Sequence, residues 1–167
     1  MKEQDMPITT AVRALRVAKV EFTPHFYDYI EHGGTSHAAA SLGVAGTAVI
    51  KTLVMAVADT GKKRLVLVLM HGDQEVSTKQ LARLLGVKTV SPASPAEVEK
   101  STGYIPGGVS PFGTRTTLPV YVEKSILALE QIYINGGKRG FLVKLAPSEL
   151  TRVLKAIPVQ VAVERRS

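Results

Sequence analysis

Two stretches of this chain are suited to chemistry: a lysine set among apolar residues, and a long loop rich in glycine and proline. Lys51 lies in Val49-Ile-Lys-Thr-Leu53, with Val49, Leu53 and Met55 at alternate positions on its own side. A lysine so placed either runs its stem out to solvent or points its charge into a cavity. The flanking apolar pattern argues against an edge strand and favours the cavity. The second stretch runs from Ser101 to Gly113, Ser-Thr-Gly-Tyr-Ile-Pro-Gly-Gly-Val-Ser-Pro-Phe-Gly. Proline fixes φ and lacks an N–H, whereas glycine reaches positive φ and lets a partner approach the main chain. Tyr104, Ile105, Val109 and Phe112 can anchor such a loop and leave N–H groups free to cradle an anionic or carbonyl oxygen. A plain connection between two elements would share this composition. A third stretch, Gly136-Gly-Lys-Arg-Gly140, joins close main-chain approach to two cations. Alone it reads as a hairpin turn; beside the first loop it reads as the second wall of an anion-binding cleft.

Familiar catalytic patterns fail here. Gly108-Val-Ser110-Pro-Phe112 begins like a nucleophile elbow, but its fifth position is Phe112 and not glycine. Gly108 to Gly113 has the spacing of a phosphate loop, yet Thr114 stands where the lysine is required. His25, His32, His37 and His71 have no metal-binding spacing, so no metal is expected. The chain has no cysteine, which removes a thiolate nucleophile, a disulfide framework and zinc–thiolate sites. What remains is a site of main-chain amides, hydroxyls and a lysine, with no strong general base and no cofactor.

The 167 residues suit one domain with its own core. The composition is 45% hydrophobic and 21% charged, near globular averages. No apolar run is long enough to span a bilayer and the N-terminus lacks a signal-peptide core, so a cytoplasmic protein is expected. The net charge is +7. Residues 1–100 hold 12 Lys/Arg against 10 Asp/Glu, and residues 101–167 hold 9 against 4. The excess positive charge therefore follows the glycine loop, which favours an anionic partner such as a nucleic acid.

These residues must be positioned by a mixture of strands and helices. Thr9 or Thr10 caps a first helix, and Glu21 to Tyr27 reads as a strand edged by Pro24. Ser36 is placed to cap a short Ala-rich helix that Gly43 ends. Val49 to Ala58 is apolar on both faces, as in a sheet covered on both sides, and Asp59-Thr-Gly-Lys62 turns it into Arg64 to His71. Ser77 or Thr78 caps a helix stopped by Gly86, and Val87 to Val90 is a short strand. Ser94-Pro-Ala-Glu97 has the form of a capping box leading into the glycine loop. Further strands are expected at Leu118 to Val122, Gln131 to Ile134, Phe141 to Leu145 and Val159 to Val163, with a last helix opened by Pro147. With no repeat and no linker, residues 1–167 form one α/β (α+β-like) domain.

Taken together, Val49 to Leu53, Ser101 to Gly113 and Ile132-Tyr-Ile-Asn-Gly-Gly-Lys-Arg-Gly140 resemble the YbaK/EbsC family, in particular its YbaK-type Cys-tRNA(Pro) deacylases. The resemblance runs along nearly the whole chain and includes Phe22-Thr-Pro-His-Phe-Tyr27. It implies the fold shared with the editing domain of bacterial prolyl-tRNA synthetases: a mixed sheet closed toward a barrel, with helices around it. It implies trans-editing of cysteine misattached to proline tRNA, Cys-tRNA(Cys) being a neighbouring substrate, by attack of the cysteine thiol on its own ester. The implied partner is the acceptor 3′ end of tRNA, with prolyl-tRNA synthetase as a candidate for its delivery. By position, Lys51, Gly107 and Gly108 would be catalytic. Tyr27 and Thr52 would line the substrate pocket, as would Ser101, Thr102, Gly103, Tyr104, Ser110 and Pro111 from the first loop. Gly136, Gly137 and Lys138 would do so from the second. One departure is Leu142, where family members often carry aspartate. Deacylation of another small amino acid, such as Ala-tRNA(Pro), and tRNA-end binding without turnover are the competing expectations. Monomer and dimer both remain open.

Overall fold

The longest apolar pattern forms the central strand of the sheet. The computed structural model describes residues 6–165. The strands are β1 (Thr23–Phe26), β2 (Val49–Asp59), β3 (Lys62–His71), β4 (Gln74–Val76), β5 (Thr89–Pro92), β6 (Val120–Glu123), β7 (Ile132–Lys138), β8 (Phe141–Leu145), β9 (Ile157–Val159) and β10 (Ala162–Glu164). The helices are α1 (Thr10–Val17), α2 (Gly34–Leu42), α3 (Thr78–Leu85), α4 (Pro95–Thr102) and α5 (Ser148–Leu154). The main sheet runs β1-β8-β7-β2-β3-β6-β9, with β5 also paired to β2. Parallel pairs (β2 with β7, β3 with β6, β6 with β9) mix with antiparallel ones. The path ends at β1 and β9 and does not close into a barrel.

Both faces of β2 are covered, as its double apolar pattern requires. Ile50 and Val54 join α1, β3, β7 and β8 in the main core, where Leu15, Leu67, Ile134 and Phe141 are buried. Met55 and Val57 pack on the other face against Leu81 of α3. Val49, farther along that same face, packs with Ala38 and Ala39 of α2 and with Leu142. Lys51 therefore lies between two apolar clusters on one face of the sheet, where the covering layer changes from α3 to α2.

Most local expectations match the elements. Thr9 and Ser77 cap α1 and α3 through their side chains, and Ser94 with Glu97 makes both halves of the capping box on α4. Four departures have physical reasons. Ser36 is not a cap: α2 begins at Gly34, one turn earlier, and Ser36 lies inside the helix. α4 continues through Ser101 and Thr102, because both hydroxyls bond back to carbonyls one turn earlier, Glu97 and Val98. The strand expected at Val87 to Val90 begins two residues later, since Val87 is still tied to Ala82 at the end of α3. The closing strand is divided in two, β9 on the main sheet and β10 on β4. Glu123 causes that division. Its buried carboxylate, 5% exposed, accepts from the N–H groups of Val161 (2.7 Å) and Ala162 (2.9 Å), drawing the chain off the sheet edge.

Replacing Glu123 by alanine leaves those two N–H groups, one of them fully buried, without an acceptor. Equilibrium urea unfolding is expected to show a loss of about 2 kcal/mol or more, and the loss should be much smaller for Glu123→Gln, which keeps an acceptor.

Candidate functional site

The site begins with a break in the ladder beside β2. The Gly72 N–H donates to the Val49 carbonyl (2.7 Å), so alternate residues from Val49 on, Lys51 and Leu53 among them, turn their main-chain groups to β3. Ile50, Thr52 and Val54 must turn theirs the other way. There, β7 pairs with β2 at Val49 and Ile50, and β5 pairs only from Met55, with the Ala93 N–H on the Val54 carbonyl at 3.0 Å. Thr52 falls between them. Its main-chain groups face the gap, and its buried hydroxyl has no hydrogen-bond partner among the described residues.

A cavity of about 580 Å³ occupies this place. Lys51 and Thr52 line it from β2, Tyr27 and Tyr29 from the chain after β1, and Thr35, His37 and Ala38 from α2. Pro106, Gly107 and Val109 contribute from the glycine loop, Asn135 and Arg139 from the second glycine turn, Leu142 from β8, and Arg165 from the chain end after β10. The two glycine segments are locked together. Asn135 donates to the Gly107 carbonyl (3.2 Å) and its side-chain oxygen accepts from the N–H groups of Gly137 and Lys138. Arg139 donates through Nε to the Pro106 carbonyl (2.9 Å) and lies over the Tyr29 ring. Gly108 permits this approach: a Cβ there would sit 2.9 Å from the Arg139 nitrogen. The Gly108 N–H is itself taken by the Ile105 carbonyl at 2.9 Å. The Gly107 N–H meets no acceptor among the described residues and sits at the cavity wall.

Of the residues singled out by sequence, Lys51, Thr52, Tyr27 and Gly107 meet at this cavity. Lys138 lines an adjoining depression that shares Tyr27, His37 and Arg139 with it. The others stand behind the walls. Ser101 and Thr102 are buried in α4, Gly103 is its left-handed cap, and the Ser110 hydroxyl accepts from the Phe112 N–H. Tyr104 donates to the Phe112 carbonyl (2.6 Å) and accepts from Thr10, and Pro111 is buried. Gly136 and Gly137 leave room for the rings of Phe141 and Tyr104. These residues shape the loop from within. Sequence reading passed over Tyr29, Asn135 and Arg165, and took Arg139 only as one of two cations in the second wall. Asn135 and Arg139 stood in a stretch already marked, whereas nothing local points to Arg165. Buried His71 lies away from the cavity, bonded to Thr47 and Ser125.

Burial pushes the Lys51 ammonium below the ordinary lysine range. Nearby Arg165 pushes the same way, and Glu75 and Asp73 partly oppose them. Burial raises the Tyr27 phenol, against the Gly140 main chain. The site thus offers a cation of weakened proton affinity, open main-chain groups and an apolar side made by Val49, Ala38 and Leu142. Such a set can polarise a carbonyl and hold an anion.

The sequence profile of the aminoacyl-tRNA editing domain matches residues 32–153. The chain belongs to that family. It is 32% identical to EbsC of Enterococcus faecalis, a protein assigned as a Cys-tRNA(Pro)/Cys-tRNA(Cys) deacylase, over 89% of this chain and 90% of that one. It is 29% identical to the multifunctional Ser/Thr-tRNA deacylase ProXp-y of Escherichia coli K12, over 74% and 77% of the two chains. Among solved structures, one assigned as a trans-editing enzyme for prolyl-tRNA synthetase superposes with a TM-score of 0.76 at 23% identity, covering 96% of this chain and all of the other. The chain is accordingly an aminoacyl-tRNA editing enzyme whose substrate is charged tRNA. No helix among the described residues is long and apolar enough to cross a membrane.

Two outcomes test the geometry. Gly108→Ala must part the two glycine segments, costing about 1–3 kcal/mol in urea unfolding together with most of the deacylation rate. The Lys51 side-chain carbon signal, followed by NMR across pH, should titrate below an exposed lysine, and Arg165→Gln should raise its midpoint by removing a like charge. Because the unfolded chain holds that proton more tightly, the site's cost to stability is full below the lowered pKa. It fades as pH rises from there toward the ordinary lysine value.

Proposed function

We propose that this enzyme removes cysteine from mischarged Cys-tRNA(Pro), with Cys-tRNA(Cys) as the neighbouring substrate, and that the substrate supplies its own nucleophile. The observation that carries the reading is the composition of the cavity beside Thr52: a lysine and open main-chain groups on one side, Val49, Ala38 and Leu142 on the other. A thiol is a weak hydrogen-bonding group and is accommodated by an apolar wall, whereas a serine or threonine hydroxyl buried there would lack a partner. In the step itself, the cysteine sulfur loses its proton and bonds to the ester carbonyl carbon. The ester C–O bond then breaks, and the departing ribose oxygen takes up a proton, releasing tRNA and a cyclic thioester. The chain contributes position and charge. Lys51 and the Gly107 N–H stand where the carbonyl oxygen gains negative charge, and holding sulfur and carbon within reach can itself supply several kcal/mol.

Leu142 also favours a second reading. The same apolar side suits the methyl group of alanine, so Ala-tRNA(Pro) is the alternative, cleaved by water and not by a thiol.

Deacylation of Cys-tRNA(Pro), Cys-tRNA(Cys), Ala-tRNA(Pro) and Ser-tRNA(Pro), measured side by side, separates these readings. The cysteinyl esters should react fastest, and S-methylation of the cysteine should stop their turnover; equal rates with a blocked thiol would exclude thiol assistance. Lys51→Ala should lower the single-turnover rate by about a hundredfold or more without lowering the unfolding midpoint. Repeating the panel with prolyl-tRNA synthetase present tests delivery. Binding without turnover on every ester would overturn the enzymatic reading.

A further inference from the structure

Arg165, the residue after β10, belongs to the cavity wall. Three connections bring it there. Glu123 holds the main chain at Val161 and Ala162, β10 pairs with β4, and the Val161 carbonyl accepts from the Ser77 N–H at 2.7 Å. The guanidinium then donates through Nη2 to the Gly72 carbonyl (2.5 Å) and through Nη1 to the Ser36 hydroxyl (2.9 Å). Both acceptors are neutral. Among the described residues the ion pairs are Lys63 with Glu97 and Arg152 with Glu149, and none engages Arg165, Lys51 or Arg139. Arg139, on another wall, is likewise held by a carbonyl and a tyrosine ring. Three cations thus share a cavity whose lining includes one carboxylate, Glu31, with Asp73 and Glu75 acting on Lys51 from outside it. Like charges brought together without a counter-charge raise the free energy of the empty site, and an arriving anion relieves that cost.

We infer that Arg165 holds a phosphate of the RNA end, the phosphodiester preceding the aminoacylated nucleotide, while neighbouring Lys51 serves the ester carbonyl. The guanidinium keeps N–H donors beyond the two already bonded, and its planar fork matches phosphate oxygens. Its contacts with Ser36 in α2 and with the Gly72 carbonyl fix it before the ligand arrives, so little side-chain freedom is lost on binding. This rests on the proposed function for the identity of the RNA, not for the presence of an anion site.

The test uses the full chain with Arg165→Gln and Arg165→Lys. In deacylation of charged tRNA, Arg165→Gln should raise KM about tenfold, as loss of one charge-assisted contact does, with the larger part of the effect on KM and not on kcat. Arg165→Lys should recover part of it. The slope of log KM against log salt should fall by about one. Independently, NMR titration with the dinucleotide CpA and with adenosine should show that wild type prefers the phosphate-bearing ligand and that Arg165→Gln does not. An unchanged KM with an unchanged preference for CpA would overturn the inference and leave Arg165 as a tie between the chain end and α2. A loss confined to kcat would overturn it too, assigning Arg165 to the Lys51 charge alone. Should wild type deacylate no charged tRNA, the proposed function fails, and the CpA comparison still decides the anion site.

Discussion

A strand inside a sheet has two ladders to satisfy, and β2 leaves one of them open at Thr52. β7 ends its pairing at Ile50 and β5 begins at Met55, so main-chain groups at Thr52 are left facing a cavity, and its buried hydroxyl has no partner among the described residues. Unsatisfied polar groups in such a place are costly unless something else meets them. The remaining parts of the site are arranged around this opening. The glycine loop and the second glycine turn close one side, α2 another, and the residue after β10 a third.

Most of the conspicuous loop is internal framework. Tyr104, Ser110 and Phe112 bond or pack among themselves and with α1, while a short run, Pro106 to Val109, reaches the cavity. Gly108 shows why glycine is needed there. Its own N–H is spoken for, and its contribution is to let the main chain of Lys138 and Arg139 come close. Rigidity in this segment suits the proposed reaction, in which positioning does more than a strong base.

Charge is managed in a comparable way. Arg139 and Arg165 are oriented by neutral groups, and among the described residues neither they nor Lys51 form an ion pair, so the carboxylates near Lys51 oppose its charge only in part. Glu123 supports this from a distance: by capturing two N–H groups it turns the chain end off the sheet and toward the site.

The sequence by itself determined the elements and their chemistry. The double apolar pattern of β2 made it central, the candidate caps (Thr9 or Thr10, Ser77 or Thr78, and Ser94) marked three helix starts, and three motifs carried the resemblance to an editing family. These are short-range signals, carried by residues within a turn or a strand of one another. The tertiary structure alone decided which of them meet. It placed Ser101, Thr102 and Tyr104 inside the wall, where each buried hydroxyl gives its one proton to a main-chain carbonyl and none reaches the cavity. It exposed Thr52 to the cavity, because where β7 and β5 stop depends on pairing between segments far apart in the chain. And it brought Arg165 to Lys51, because a carboxylate on β6 bends the C-terminal segment through contacts that no local pattern encodes.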